Sequence, residues 1–390
     1  MSQDTLSPVL RKVVEGYGDF LQQIDEGSAS PIDLAVMKIA QWEPTFQRNP
    51  DSEVVEKLTE AWARSHNIWK EGYSEHTNTM GGYLHPETAN VQTLAAIDKT
   101  YLILFYIDDT ISNELQKDLP EDARHEGKVM MGELFRLLKQ RKQLGNIPES
   151  QFGLVNATKD LLQDLADLSD PEWLERFMFA LEEHLVDTVQ DQNQAVIGEQ
   201  FTRESYIERR NDISGMFVTT WYMEFASGEY LPRTDLPEHV HEMCQRLEYL
   251  CAIIGGIAND FFSFEKEVID HLDEFNLIPV AMMENPDMGF LEAVNDCLKY
   301  LNTASDEFME VTEKLRLEVP TLPPDQAKAV SEYLKQTKFV ALASWFWELD
   351  TDRYQRPQSM FLQTYIAWRQ GQGHTGKLRS GEPLRENPSA

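Results

Sequence analysis

Apolar side chains recur at intervals of three and four residues over most of this chain, which is the spacing of one face of an α-helix. Gly81 to Pro86 predicts a turn, and other Gly and Pro residues separate several of the periodic segments. The sequence shows no strand-like alternation of useful length. We therefore predict an all-α fold, a single large bundle of ten or more helices around one core. The pattern places helices at 9–24, 32–48, 53–71, from 87 to about 107, 122–143, 150–166, 171–192, 202–226, 237–269, 289–317, 324–350 and 358–370.

The composition supports one large unit. The chain has 390 residues, 42% of them hydrophobic, which is enough for a large core. No Gly-, Ser- or Pro-rich linker interrupts its middle, so one globular domain is favoured over two or three. We predict an N-terminal extension at 1–30, the main domain at 31–370, and a disordered tail at 371–390, where Gly, Ser, Pro, Arg and Glu dominate.

The formal net charge of −31 restricts the partners. It argues against nucleic acid and against an anionic membrane surface, because phosphate groups recruit Lys and Arg. No apolar run approaches the roughly 18–20 residues that a membrane span needs, and the N-terminus lacks the basic region of a signal peptide. The three cysteines, Cys244, Cys251 and Cys297, lack metal-ligand spacing and fit reduced thiols. We expect a cytoplasmic monomer or homodimer without stable membrane association.

The stretch from Asn259 to Glu267 carries candidate metal ligands. On a helix, Asn259, Ser263 and Glu267 lie four residues apart and share one face. The preceding segment, 252–258, is apolar, so this helix is expected to carry polar side chains into the core. Amide, hydroxyl and carboxylate oxygens suit a magnesium-like ion, and buried polar groups are costly without a partner. An ordinary polar helix face is the alternative.

A second acidic motif, Asp108-Asp109, follows the apolar segment 94–107. Two carboxylates placed against aliphatic and aromatic side chains repel each other unless a cation lies between them. A solvated acidic helix end is the alternative interpretation. The pair is therefore a possible second set of metal ligands.

Two basic motifs are candidates for binding an anion. The adjacent arginines at 209–210 are followed by Asp212, a carboxylate that can hold one guanidinium inward. The pair at 353–354, Arg and Tyr, follows the aromatic run 345–347, and aromatic faces stabilise a nearby cation. A surface basic pair and a set of core aromatics before a helix end are the respective alternatives.

The order and type of these motifs resemble the class I terpene synthases (terpene cyclases), most closely those of fungi. The resemblance runs from Pro86 to Tyr354. The pattern Asn259-Asp260-x-x-Ser263-x-x-Lys266-Glu267 fits the family motif at every defining position. Arg209 lies 50 residues before Asn259, where relatives place a diphosphate-sensing Arg, with Asp212 as the linking carboxylate and the Ile213 backbone beside it. Spacing alone does not decide between Arg209 and Arg210.

The acidic motif departs from the family pattern. Relatives carry an acid three or four positions after the second Asp, where this chain has Ser112 and Asn113, and Glu114 comes one position later. Asp108 is therefore the ligand of this motif least affected by the departure. Asp109 and Glu114 are its further candidates.

The resemblance implies a helical bundle with a deep apolar central pocket, its mouth flanked by the two metal motifs. Mg²⁺ is the implied cofactor, and a small-molecule prenyl diphosphate is the implied substrate. The implied metal ligands are Asp108, Asp109, Glu114, Asn259, Ser263 and Glu267. The implied catalytic and diphosphate-binding residues are Arg209, Lys266, Arg353 and Tyr354, and the implied pocket aromatics are Phe105, Trp221 and Trp347.

The implied function is that of a Mg²⁺-dependent sesquiterpene synthase. Such an enzyme ionises farnesyl diphosphate, releases diphosphate and cyclises the allylic cation to a cyclic hydrocarbon or alcohol. A diterpene synthase acting on geranylgeranyl diphosphate is one alternative. A chain-elongating isoprenyl diphosphate synthase, which normally carries two aspartate-rich motifs, and a non-catalytic helical interaction protein are the others.

Overall fold

The computed structural model describes residues 6–42, 46–73, 80–111, 120–197 and 201–371, and leaves undescribed the side chains at 111, 141–143 and 187–197. Within these residues the chain forms fourteen α-helices and no β-strand, which confirms the predicted all-α class. The helices are α1 (Pro8–Asp25), α2 (Ser52–Ser65), α3 (Met80–Leu84), α4 (Val91–Ile111), α5 (Glu121–Lys139), α6 (Gly153–Leu168), α7 (Pro171–Ile197), α8 (Arg203–Ile213), α9 (Met216–Ser227), α10 (Glu238–Phe262), α11 (Leu277–Glu284), α12 (Phe290–Glu318), α13 (Pro324–Asp350) and α14 (Leu362–Gly371). All but the first residue of the predicted tail lies outside the described residues.

The predicted helix at 32–48 is wrong. This region forms two short 3₁₀ turns, Leu34–Val36 and Lys38–Gln41. The backbone N–H of Leu34 donates to Thr364 Oγ1 at 2.8 Å, and that of Lys38 donates to Asn302 Oδ1 at 2.8 Å. Side chains from distant segments therefore take backbone donors that a continuous helix would use itself.

Two short helices, α3 and α11, lie where the sequence pattern predicted no helix. The predicted turn from Gly81 to Pro86 contains α3, where the N–H of Gly81 donates to the buried Asp98 Oδ1 at 2.8 Å. The helix α11 was not predicted, and it begins after Asn276, whose side chain accepts from Ile278 N–H at 3.1 Å. Each depends on one side chain that satisfies a backbone donor at a helix start.

The predicted helix at 202–226 is two helices, α8 and α9, with a break at Gly215. Gly215 has a φ of +74°, a left-handed conformation that costs little for glycine and more for other residues. The break redirects the chain after Ile213. It lies beside the cavity described below.

The predicted helix at 237–269 is also interrupted. Helix α10 ends at Phe262, Ser263 caps it, and a π-helical turn spans Glu265–Asp270. Two backbone bonds nevertheless preserve the four-residue spacing, from Ser263 N–H to Asn259 O at 2.7 Å and from Glu267 N–H to Ser263 O at 2.8 Å. The predicted spacing of the three motif residues therefore survives the end of the helix.

Helix α10 lies at the centre of one large apolar core. Residues 250–258 are buried along its C-terminal half. Two glycines allow neighbours to approach it closely, because a Cβ at Gly255 would lie 2.4 Å from Met216 Cε and one at Gly256 would lie 3.3 Å from Arg210 Cγ. The segment before the metal motif is therefore packed tightly against α8 and α9.

The N-terminal helix α1 belongs to the same core. Its buried face includes Val13 and Phe20, and Tyr17 Oη donates to the buried Glu265 Oε1 at 2.9 Å. Met360 N–H donates to the same oxygen at 2.8 Å. Helix α1 and the segment at Met360 therefore meet at Glu265, in the π-helical turn. None of the described helices has the length and apolar character of a membrane span.

Candidate active site

A cavity that opens to solvent lies between α3, α4, α7, α8, α9, α10 and α13. The cavity and the solvent-filled space of its mouth together have a volume of about 1130 Å³. Its wall is largely apolar and aromatic, and its polar side chains include residues from both predicted metal motifs. The half-exposed Asp108 marks the mouth. The apolar wall includes Leu104, Phe105, Ile107, Leu185, Met216, Ala343 and Trp347, and the polar set includes Asp108, Arg210, Asn259, Glu267, Glu348, Arg353 and Tyr354.

Asn259 lines the cavity in the last turn of α10, and its amide is bonded at both ends. Its Nδ2 donates to Glu348 Oε1 at 2.9 Å and to Tyr354 Oη at 3.1 Å. Its Oδ1 accepts from Arg210 Nη2 at 2.7 Å. The amide oxygen of Asn259 therefore faces the Arg210 guanidinium.

Ser263 and Glu267 are joined to each other. Ser263 Oγ donates to Glu267 Oε2 at 2.7 Å, and Ser263 is fully buried while Glu267 lines the cavity. Lys266, between them in sequence, is half-buried and does not line the cavity. Its positive charge nevertheless contributes to lowering the pKa of Asp109, which places it near the acidic motif.

Asp108 and Asp109 share one cation. Arg353 Nη2 donates to Asp108 Oδ2 at 3.2 Å and to Asp109 Oδ1 at 3.0 Å. Burial alone would raise the pKa of the Asp109 carboxyl, but the charges of Arg353, Lys266 and Lys70 lower it below its ordinary value. The surrounding cations therefore favour the ionised form of Asp109, which is the form that binds a metal. Glu114, the third predicted acid of this motif, lies outside the described residues.

Lys70 is a member of this site that the sequence did not reveal. Its Nζ donates to the backbone carbonyl of Asp109 and to Thr110 Oγ1 at 2.9 Å, and it lies 5.1 Å from the Tyr106 ring. Carbonyl groups at the end of α4 are unsatisfied within the helix, and a cation there also suits the helix dipole. No local motif around Lys70 signals this role.

The structure brings Arg210, and not Arg209, to the cavity. Besides bonding Asn259, Arg210 donates from Nε to Asp260 Oδ1 at 2.9 Å. Asp260 is buried and also accepts from Tyr206 Oη at 2.6 Å. Burial would lower the pKa of Arg210, but the Asp260 carboxylate raises it above its ordinary value.

The carboxylate that holds Arg210 is therefore Asp260, the second residue of the metal motif. Arg209 is half-buried on the same helix. Asp212 contributes its backbone carbonyl, which is 3.0 Å from His184 Nδ1. Ile213 lines the cavity as expected of a residue beside the helix break.

Glu348 is the second site residue that the sequence did not reveal. It is buried in the last turn of α13, lines the cavity, and accepts from Asn259 through Oε1. Its other oxygen, Oε2, has no hydrogen-bond partner among the described residues. Burial, opposed by the Asn259 hydrogen bond and reinforced by the charge of Glu267, raises the pKa of Glu348 to about 8. An acid immediately after the aromatic run 345–347 was the available signal.

Two of the three predicted pocket aromatics lie together at the cavity. The rings of Phe105 and Trp347 have centroids 5.8 Å apart, and the Arg353 guanidinium lies 5.2 Å from the Phe105 ring. Trp347 also meets the Tyr354 ring edge-on at 6.1 Å. These faces are electron-rich surfaces close to the predicted diphosphate donors.

The prediction that Trp221 lines the pocket is not supported. Trp221 packs 4.8 Å from the guanidinium of Arg233, outside the cavity lining. Arg233 in turn pairs with the buried Glu224 at 2.5 Å and with Glu248 at 2.8 Å. Trp221 therefore covers a separate buried ion network, because its position on α9 faces away from the cavity.

The donors suit a hard divalent cation. Amide, hydroxyl and carboxylate oxygens are the ligands that Mg²⁺ accepts, and Arg353 compensates the charge of the Asp108 and Asp109 carboxylates. Glu348, which also lines the cavity, has a buried oxygen, Oε2, without a hydrogen-bond partner among the described residues. The residues present therefore fit the metal that the motifs predict.

An all-α bundle with an apolar cavity, acidic and amide ligands and inward arginines at one mouth has the architecture of the class I terpenoid synthases. The family described as "Terpene synthase family 2, C-terminal metal binding" matches residues 99–307, more than half of the chain. The chain belongs to this family.

Several known proteins resemble the chain in sequence. Sesquiterpene synthase Agr3 of Cyclocybe aegerita is 31% identical over 39% of this chain and 40% of its own length. Sesquiterpene cyclase hepA of Aspergillus oryzae is 25% identical over 38% of this chain and 39% of its own. Bifunctional terpene synthase Agr4 of Cyclocybe aegerita is 24% identical over 65% and 68%. The first two alignments thus span about two fifths of those relatives.

Solved structures share the fold. The crystal structure of a-eudesmol synthase superposes with a TM-score of 0.66 at 17% identity, covering 78% of this chain and 96% of that one. Germacradien-4-ol synthase from Streptomyces citricolor gives a TM-score of 0.61 at 19% identity, covering 77% and 95%. The predicted fold, a class I terpenoid synthase bundle with a central apolar pocket, is confirmed.

Proposed function

We propose that this protein is a Mg²⁺-dependent sesquiterpene synthase that ionises farnesyl diphosphate and cyclises the resulting allylic cation. One observation carries the proposal: ligands from two distant helices, α4 and α10, line the same apolar cavity. A hydrophobic chain fits the wall, and a metal-bound anion fits the mouth. The names of the fungal relatives support a C15 substrate.

The metal would be held by Asp108, Asn259, Ser263 and Glu267, with Asp109 as a further candidate. When bound, Mg²⁺ acts as a Lewis acid that stabilises negative charge on the leaving diphosphate. Glu114 remains a prediction. Ser263 reaches the site through its bond to Glu267, so both belong to one ligand set.

The diphosphate would be bound by Arg210, Arg353 and Tyr354, with Lys266 at the rim. In this proposal Arg210 takes the place first given to Arg209, because Arg210 lines the cavity. Fixed donors around the departing oxygens stabilise the charge that develops there. Arg353 remains oriented toward the mouth by its bonds to Asp108 and Asp109.

The hydrocarbon part would lie against Phe105 and Trp347. Their π-faces stabilise positive charge as it moves along the chain, without forming bonds to it. Exclusion of water by the apolar wall keeps the cation from being quenched before cyclisation. Diphosphate or water is the proposed acceptor of the final proton.

The test is product analysis. Purified protein with farnesyl diphosphate and Mg²⁺ should release a cyclic C15 hydrocarbon or alcohol, detected by gas chromatography and mass spectrometry. Asn259→Ala and Asp108→Ala should each lower turnover by roughly 100-fold, because each removes a group that stabilises the leaving group's charge. Normal turnover by Asn259→Ala would contradict the site assignment.

Matched controls come from the surface. Asn295→Ala and Asp306→Ala make the same changes at exposed positions, where Asn295 bonds Leu291 O and Asp306 pairs with Lys38. Both should retain wild-type turnover. A longer diphosphate as product would instead indicate chain elongation, and a C20 hydrocarbon from geranylgeranyl diphosphate would indicate a diterpene synthase. No Mg²⁺-dependent diphosphate release from any C10–C20 substrate would indicate a non-catalytic protein.

The remaining assignments belong to the same proposal. Residues 31–370 hold the whole candidate site and are the proposed catalytic domain, and α1 of the predicted extension packs on the same core. The protein is cytoplasmic, supported by three buried free cysteines. It acts as a monomer or homodimer.

A further inference from the structure

The Asn259 amide is held by a complete set of directional contacts. Both N–H bonds of its Nδ2 have acceptors, Glu348 Oε1 at 2.9 Å and Tyr354 Oη at 3.1 Å. Its Oδ1 accepts from Arg210 Nη2 at 2.7 Å and has a second lone pair. The three partners come from α13, the segment after it, and α8.

These partners permit only one orientation of the amide. In the reversed orientation, the amide oxygen would face the Glu348 carboxyl oxygen and the NH₂ group would face the Arg210 guanidinium. The contact with Arg210 would then join two donors, because a guanidinium cannot accept, and an ionised Glu348 would face an acceptor. The hydrogen-bond chemistry of the surroundings therefore decides that the amide oxygen faces Arg210 and the amide nitrogen faces Glu348.

Glu348 is well placed to impose this orientation. It is 4% exposed on a rigid helix, and the Tyr354 ring beside it is supported edge-on by Trp347. Tyr354 can donate as well as accept, so its hydroxyl tolerates either orientation. Glu348 Oε1 accepts the shorter of the two bonds that Nδ2 donates, 2.9 Å against 3.1 Å, and Glu348 lies within α13 whereas Tyr354 follows its end.

We propose that Glu348 is the positioning residue for Asn259, and that its Oε1 holds the amide nitrogen so that the second lone pair of Oδ1 is available to the metal. The inference rests on the proposed function, because it assumes that Asn259 is a ligand. An amide turned the other way presents N–H groups to a cation and binds none. Residues that orient a metal ligand typically change metal affinity by 10–100-fold.

The test measures metal binding directly. Binding of Mn²⁺ in the presence of inorganic diphosphate is followed by the electron paramagnetic resonance signal of free Mn²⁺, using the full-length chain. Glu348→Gln keeps an acceptor oxygen and should bind Mn²⁺ within about twofold of wild type. Glu348→Met has similar length without an acceptor, and its affinity should fall by about 10-fold or more.

A control and a second variant separate positioning from folding. Ser331→Ala removes a hydroxyl at an exposed position of the same helix, α13, where Ser331 Oγ donates to Ala327 O at 2.7 Å, and it should leave Mn²⁺ affinity unchanged. Glu348→Ala also removes the acceptor and replaces Glu348→Met if that variant fails to fold. Far-UV circular dichroism and thermal unfolding without metal identify such a failure.

Each outcome decides the question. Equal affinity in Glu348→Met or Glu348→Ala and wild type overturns the proposal, as does a Glu348→Gln variant as weak as those without an acceptor. The latter result would mean that the Glu348 carboxylate binds the metal directly and does not act by orienting Asn259. If wild type binds no Mn²⁺ with diphosphate, the proposed function fails, whatever the variants do.

Discussion

The buried pair of Arg210 and Asp260 gives a stability prediction that can be worked from the structure. Asp260 is 1% exposed and accepts three hydrogen bonds, from Arg210 Nε at 2.9 Å, Tyr206 Oη at 2.6 Å and Leu277 N–H at 3.0 Å. Asp260→Asn removes the charge and turns one acceptor into a donor. Within the described residues, the remaining hydrogen bonds of Arg210 would then go only to neutral acceptors, Asn259 Oδ1 and the Gly256 carbonyl.

Breaking a buried ion pair on one side costs about 3–5 kcal/mol of unfolding free energy. With an unfolding entropy of about 2.1 cal/mol/K per residue, that loss lowers Tm by about 4–6 °C for a chain of 390 residues. Urea titration followed by circular dichroism measures the free energy. Differential scanning calorimetry measures Tm.

The surface pair of Glu307 and Arg246 provides the matched control. It has the same chemistry, with two bonds at 2.6 and 2.8 Å, but both side chains are 40% or more exposed. Glu307→Gln should therefore cost less than about 1 kcal/mol. Adding Arg210→Met to Asp260→Asn should restore part of the lost stability, because it removes the uncompensated charge. Equal losses in Asp260→Asn and Glu307→Gln would refute the reasoning.

Two further predictions concern pH and backbone conformation. Burial lowers the pKa of His85 to about 3 in the folded protein. The unfolded chain therefore binds more protons below pH 6.5. The free energy of unfolding should fall by about 1.4 kcal/mol per pH unit as pH falls from roughly 6.5 toward 3. His85→Gln should remove that part of the slope in urea titrations at pH 7.5, 6 and 5, and an unchanged slope would contradict it. Gly215→Ala should cost about 1–2 kcal/mol from its positive φ, since the nearest atom to a new Cβ is 3.9 Å away. Gly132→Ala, on the exposed face of α5, should instead stabilise by up to about 1 kcal/mol.

The long helices were the part of the fold that the sequence could predict. Helix α13 begins and ends where its periodicity predicted, at 324 and 350, because a long uninterrupted pattern outweighs local effects. The segment 32–48 carried a similar but shorter pattern and failed, since Thr364 and Asn302 supply competing acceptors from distant segments. Such tertiary contacts leave no trace in the local pattern.

The candidate site shows the same division. Residue types and spacing were sufficient to predict Asn259, Ser263 and Glu267 as one group, because the motif is local; in the structure Asn259 and Glu267 line the cavity, and Ser263 bonds Glu267. The choice of Arg210 over Arg209 depends on Asp260, 50 residues away along the chain. Lys70 was missed for a similar reason, since its partner carbonyl at Asp109 is distant in sequence.

The two bonds that Glu265 accepts have a consequence for folding during synthesis. This carboxylate accepts from Tyr17 near the start of the chain and from the Met360 backbone, 95 residues after it. A ribosome adds about 5–20 residues per second and exposes the N-terminal part first. The turn that carries Glu267 is therefore only partly hydrogen-bonded until residue 360 has been synthesised. Nascent chains stalled before residue 360 should expose this turn to chaperones and proteases.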